Sequence, residues 1–194
     1  SSVARNGFRI ALPAYGARLR VDGEGRALAV ASEMTVDLAS ADDARELVAE
    51  PADVLGLLQR LQREPPPGWL GVVWFRLPLD SDRRAWSLAA LRAVIAGRLP
   101  RADLRVEADA IANGSIDIVL HNDGESALPL PPVELDPRCA SGDALAGYRL
   151  DRTPSTLRLS PQVADTLAAG RRRAIGWLRC PGEPAPPRLP TDTS

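Results

Sequence analysis

The sequence predicts an α/β segment built on a parallel sheet, followed by a small antiparallel β-sandwich module. Three observations carry that expectation. Residues 70–77 are apolar and rich in β-formers, bounded by Pro65-Pro66-Pro67-Gly68 before and Pro78 after, as expected of a strand covered on both faces. Helical patterns stand on both sides of this strand, so the order strand, helix, strand, helix reads as βαβα. From Leu104 the pattern changes to strict alternation around Asn113-Gly114, the signature of an antiparallel hairpin.

Taken in order, residues 8–16 form a short strand ending in a Pro and a Gly, with Phe8, Ile10 and Leu12 on one face and Arg9, Ala11, Pro13 and Tyr15 on the other. Residues 18–21 and 27–30 alternate on either side of Asp22-Gly23-Glu24-Gly25, which predicts a side hairpin. Ser40-Ala41-Asp42-Asp43 has the form of a capping box and predicts a short helix through Val48. Pro51 then opens a second helix, in which Val54, Leu57, Leu58 and Leu61 make an apolar stripe for docking on a sheet. After the strand at 70–77, Asp82 is placed to cap a helix through Ala96, with Leu88, Leu91, Val94 and Ile95 inward and Gly97 as its terminator. Two parallel strands bury too little and leave open edges, so further strands are expected before Ser1.

In the second half, Leu104, Val106, Ala108 and Ala110 alternate with Arg105, Glu107 and Asp109. Ile116, Ile118 and Leu120 alternate with Asp117, Val119 and His121. Further strands are expected at 144–150, 156–159 and 173–180, spaced as in a small β-sandwich. The predicted organisation is therefore an α/β domain over residues 1–100 with its hairpin at about 18–30, a β-sandwich over 101–182 and a disordered Pro-rich tail over 183–194.

Composition narrows the function classes. With 24 basic and 25 acidic residues the net charge is -1, which gives no electrostatic footprint for nucleic acid or an anionic membrane. Every basic residue is Arg, more in keeping with a GC-rich genome than with phosphate recognition. No apolar run is long enough to span a bilayer. Beginning at Ser1 without Met, the sequence reads as a mature form or a fragment. Cys139 and Cys180 lack metal-ligand spacing, which leaves a disulfide or two buried thiols, and no metal site.

Ligand sites of parallel α/β sheets lie at the carboxyl ends of the strands. Parity assigns Val73, Phe75 and Leu77 to the helix-covered face and turns Val72, Trp74 and Arg76 to the other. The candidate substrate-binding rim is then Tyr15, Arg18, Trp74, Arg76, Asp80 and Asp82. Each has a plainer alternative: Asp82 as a helix cap, Asp80 as a partner of Arg83 or Arg84, Trp74 as core packing. His121, before Asn122-Asp123-Gly124, reads as a solvated turn residue. No nucleophile elbow, zinc motif or phosphate loop is present, so no catalytic residue and no cofactor is assigned.

The segments Ala11-Leu12-Pro13-Ala14-Tyr15-Gly16, Gly71-Val72-Val73-Trp74-Phe75-Arg76-Leu77-Pro78, Ser81-Asp82-Arg83-Arg84-Ala85-Trp86, Asp143-Ala144-Leu145-Ala146-Gly147-Tyr148 and Ile175-Gly176-Trp177-Leu178-Arg179-Cys180 resemble the C-terminal part of a bacterial family known as domain of unknown function 3142. The resemblance covers most of the chain. It implies the closing units of a TIM-like (β/α)8 barrel in residues 1–100, similar to sugar-cleaving barrels, with an exported location. On that basis the expected function is a carbohydrate-active protein, glycoside hydrolase-like, whose catalytic carboxylates lie outside this chain and whose ligand is a glycan. The alternative is a non-catalytic envelope or scaffold protein in which a degenerate barrel carries a β-sandwich interaction module.

Overall fold

Strands dominate the chain in a computed structural model that describes residues 7–31, 44–75, 77–79, 82, 84–111 and 114–190, with two helices among them. This overturns the expected share of a (β/α)8 barrel. The described strands form five sheets of two to four strands, and none of them closes. Strands β1 (Phe8–Pro13) and β5 (Trp69–Phe75) do pair in parallel, Ile10 beside Val72 and Leu12 beside Trp74. They are the one parallel pair among the described residues. Strand β2 (Gly16–Val21) instead runs antiparallel to β3 (Ala27–Ala31) and to β4 (Ala44–Val48), making a separate three-stranded sheet. The glycoside hydrolase-like expectation rested on that barrel, and it falls with it.

Strand β4 also corrects the helix expected through Val48. The capping-box residues Ser40, Ala41, Asp42 and Asp43 lie outside the described residues, but the following five residues pair with Gly16–Arg20 along the free edge of β2. A local cap signal is worth about 1 kcal/mol, less than a ladder of cross-strand pairs supplies.

In the unit Ser1–Pro100, helix α1 (Pro51–Arg63) starts with Pro in its first turn, as predicted, with Asp53 near its N-terminus and Arg60 and Arg63 in its last turn. Helix α2 (Leu88–Ile95) starts later than expected: Ser87 caps it, its Oγ accepting from Ala90 N at 2.9 Å. Gly97, at φ 80°, ends it as predicted. Val54, Leu55 and Leu58 of α1 and Ala90, Leu91 and Val94 of α2 share one buried cluster with Leu12, Ala14 and Trp86, against which Ile10, Val72 and Trp74 pack. The helix-covered face of β5 is therefore the Val72/Trp74 face. Val73, Phe75 and Leu77, predicted to face helices, are 48%, 58% and 63% exposed. Both faces of this strand are apolar, so alternation alone could not say which one is covered.

The unit Arg101–Ser194 is a β-sandwich. One sheet has the order β10 (Ser141–Ala144), β14 (Arg172–Arg179), β7 (Ser115–Asn122), β6 (Leu104–Ala110). The other has the order β11 (Tyr148–Arg152), β12 (Leu157–Pro161), β9 (Val133–Leu135), and β8 (Leu128–Pro129) pairs with β13 (Thr166–Leu167). Their inner faces meet in a core that includes Ile118, Leu120, Val133, Leu157, Leu159, Ile175 and Leu178. Each of these side chains contributes about 1.5–3 kcal/mol by leaving water. The single strand expected at 144–150 is two strands, because Ala146 and Gly147 turn the chain at φ 50° and 80°.

Asn122 and Tyr148 have their polar groups satisfied in this core. Asn122 is fully buried and donates to the carbonyls of Ser126 and Leu167 at 2.8 and 2.7 Å while accepting from Gly124 N. The Tyr148 hydroxyl donates to Pro131 O at 2.8 Å, and burial pushes its pKa up to about 12. His121 is a strand residue, not a turn residue: it sits in β7, 14% exposed, with Nε2 3.2 Å from Glu107 Oε2. Cys139 and Cys180 form a disulfide that ties the approach to β10 to the end of β14 across a sequence separation of 41.

The segment read as a disordered tail is anchored over part of its length. Leu189 packs on the core, Arg188 exchanges backbone hydrogen bonds with Glu134, and Ala185 N donates to Asp136 Oδ2 at 2.8 Å. Asp136 is 5% exposed and takes three further hydrogen bonds from the Arg138 guanidinium and one from its backbone amide. The Arg138 guanidinium, followed by the amides of Ala185 and Arg138, holds this carboxyl far below its ordinary value of 3.8. Because the folded pKa is depressed, its stabilising effect is complete above 3.8 and is lost as the pH falls through and below that value. Asp136→Asn will be less stable than the parent at neutral pH, and chemical denaturation at a series of pH values will show the gap closing on acidification. Reduction of the disulfide will cost roughly 4 kcal/mol by the loop-closure relation, read as a lower melting temperature with reductant present.

Candidate functional site

Of the predicted rim the structure describes Tyr15, Arg18, Trp74 and Asp82, and each of the four has a place in the local fold. Tyr15 bridges to Ala85 and meets Phe75 edge-on, ring centroids 5.6 Å apart. Trp74 packs beside Trp86 at 6.4 Å, on the helix-covered face, and Trp86 is itself fixed by a 2.6 Å hydrogen bond from Nε1 to Ala49 O. Both aromatic side chains are thus engaged in packing. Arg18 lies half-buried in mid-strand, opposite Ala31 and Glu46 in register. Asp82 closes a turn, its Oδ2 accepting from Leu79 N at 2.8 Å, in place of the helix-capping role that Ser87 takes. Arg76 and Asp80 lie outside the described residues.

A different constellation appears on the outer face of the four-stranded sheet. The side chains of Ile118, Leu120, Leu178 and Ala144 go to the core side, so alternation turns their neighbours Asp117, Trp177 and Asp143 outward. Register then aligns them: Asp143 of β10 opposes Trp177 of β14, Trp177 opposes Asp117 of β7, and Asp117 opposes Asp109 of β6. Four strands contribute one residue each to a single row, with neighbouring members about 4.8 Å apart, one strand spacing. Asp143 and Asp109 are exposed, and Trp177 and Asp117 are half-buried.

The row depends on a bulge. Between Ala174 and Gly176 the register of β14 against β7 shifts, so that Ile175 is an extra residue and its side chain is fully buried. Without that insertion Trp177 would turn inward. Gly176 is required at this point, since a Cβ there would lie 2.8 Å from Asp143 O and 3.0 Å from Leu159 Cδ1.

With the geometry in place, the comparisons divide the chain in two. Residues 1–80 match the domain of unknown function DUF3142. Residues 105–181 match a second one, DUF8456, which therefore holds the whole Trp177 row. The DUF3142 match thus covers the N-terminal part of the resemblance, while Asp143 to Tyr148 and Ile175 to Cys180 fall within DUF8456. No curated protein and no solved structure matches the chain.

Sequence reading had placed Asp109 and Asp117 on the polar side of their strands, but nothing local connects them with Trp177, some 60 residues away. Two outcomes follow. Trp74→Ala will lower the stability of the N-terminal unit by roughly 2 kcal/mol, below the range for a fully buried Trp, as measured by urea unfolding. Gly176→Ala will cost about 1–3 kcal/mol through the clash with Asp143 O and will also broaden or shift the near-ultraviolet signal of Trp177.

Proposed function

We propose that this chain is a carbohydrate-binding protein whose contact surface is the outer face of the four-stranded sheet in the C-terminal sandwich. The observation that carries this reading is Trp177 standing between Asp143 and Asp117 in one cross-strand row. An indole offers an apolar plane for the apolar face of a sugar ring, and flanking carboxylates accept hydrogen bonds from its hydroxyls. A sheet holds both at fixed spacing without a closed pocket. The carbohydrate function no longer requires a barrel or a hydrolytic site in this reading. The disulfide Cys139–Cys180 supports an exported location, since such bonds persist in oxidising compartments.

A second reading, a scaffold protein, is favoured by one observation in the other unit: Val73, Phe75 and Leu77 form an exposed apolar face beside open strand edges.

Screening the intact chain against an immobilised glycan panel separates the two. Glycan binding is expected, and Trp177→Ala should weaken it by at least about tenfold in a protein that still unfolds cooperatively. Absence of glycan binding, together with concentration-dependent self-association that Phe75→Asp abolishes, would favour the scaffold.

A further inference from the structure

The carboxylates of the Trp177 row lack, among the described residues, the Arg partner that six others on the sandwich have. Asp103, Glu107, Asp123, Asp136, Asp151 and Asp165 each pair with an Arg. Asp109 and Asp117 make no hydrogen bond or ion pair among the described residues. Among the described residues Asp143 accepts from the backbone amide of Ala144 alone, at 2.8 Å. The nearest basic residue in register, Arg179, sits two pairs along the same ladder, opposite Ser115, and donates to the Ser115 hydroxyl at 3.3 Å. Among the described residues no Arg is ion-paired with any of the three carboxylates of this row, Arg179 being turned to Ser115.

The pairing makes this costly. Asp109 and Asp117 are directly opposed on adjacent strands, where like charges repel across a Cβ separation of about 5 Å. A neutral sugar would donate hydroxyl hydrogen bonds to the carboxylates but would leave that repulsion in place. A ligand with positive charge would remove it. The carboxylates are spread along a row rather than gathered around a point, and among the described residues no group of three acidic, His or Cys side chains is arranged for a metal ion. Charges distributed at intervals along the ligand fit the row better than a single ion does.

We infer that the outer sheet face binds a glycan carrying free ammonium groups, an unacetylated amino-sugar oligomer. One ring stacks on Trp177, an ammonium on one side is held by Asp117 and Asp109 together, and an ammonium or hydroxyl on the other side is held by Asp143. This rests on the glycan reading above and adds the charge of the ligand to it. The aromatic plane contributes a second attraction to the same cation, since an ammonium near an indole face is drawn to its quadrupole. Burial of the apolar ring face and the ion pairs act together, so neither a neutral sugar nor a bare cation satisfies the whole row.

Titration calorimetry of the intact chain with four probes tests this: a glucosamine hexamer, an N-acetylglucosamine hexamer, a glucose hexamer and a Lys hexapeptide. The glucosamine hexamer is expected to bind about tenfold or more tighter than its acetylated counterpart. That advantage should shrink at high salt and vanish when the amines are deprotonated. Asp117→Asn should lose most of the preference, and Trp177→Ala should abolish binding of all three sugar hexamers. Asp109→Asn should weaken the glucosamine hexamer while slightly raising the melting temperature, an effect opposite to that of a residue kept for stability. Equal binding of acetylated, neutral and unacetylated hexamers would overturn the ammonium assignment and leave the glycan reading standing. Binding of the Lys peptide alone, insensitive to Trp177→Ala, or binding of no probe, would overturn both.

Discussion

The register of β14 is the constraint on which the rest of the sandwich depends. This strand is hydrogen-bonded on both sides, to β10 and to β7, so its side chains are assigned to inner and outer faces by two ladders at once. The bulge at Ile175 allows two consecutive residues, Ile175 and Gly176, to serve the inner side. Leu178 then returns to the core and Trp177 to the surface. The disulfide from Cys180 secures the end of the same strand, and the anchored segment through Leu189 covers part of the core beyond it. A slip of one residue would exchange Leu178 with Trp177 and break both the core and the row.

The N-terminal unit obeys a different constraint. Its two helices cover one face of a two-stranded parallel sheet, and the buried cluster is completed by Trp86, which a hydrogen bond to Ala49 O holds against the sheet. The remaining face keeps Val73, Phe75 and Leu77 in contact with solvent. A barrel would have required β2 to continue the parallel sheet after a helix. Here β2 pairs antiparallel with two neighbours, so Tyr15 and Gly16 become a corner between two sheets: Gly16 N donates to Arg84 O at 2.7 Å and Ala49 N to Tyr15 O. Tyr15 is fixed by that corner and by Phe75.

What could be read from sequence was whatever two neighbouring segments determine between them. The hairpin around Asp22, the helix opened by Pro51, the β6–β7 alternation and the Gly97 stop all depend on contacts within about 20 residues. The choice of covered face on β5 did not, because Val72/Trp74 and Val73/Phe75 are equally apolar and only the position of α1 and α2 decides between them. The replacement of a helix by β4 turned on the free edge of β2. The Trp177 row joins residues 109, 117, 143 and 177, whose adjacency is a product of strand order. Alternation could place each of the first two on an outer face but could not bring the others beside them.

Two kinds of carboxylate on one sandwich show what the fold does with charge. Asp136 is nearly buried, surrounded by donors from Arg138 and Ala185, and its ionised form is part of what holds residue 185 to the domain. Removing water from it is offset on the spot by charge-assisted hydrogen bonds. Asp109 and Asp117 have no such donors and face each other across a ladder. An Arg at either neighbouring outward position of β7 would relieve them, yet Ser115 and Val119 stand there. A sheet optimised for stability alone would not place two carboxylates opposite one another next to a half-buried indole. Their arrangement is economical only when the missing positive charge arrives with a ligand, and the aromatic plane beside them sets the shape that ligand must have.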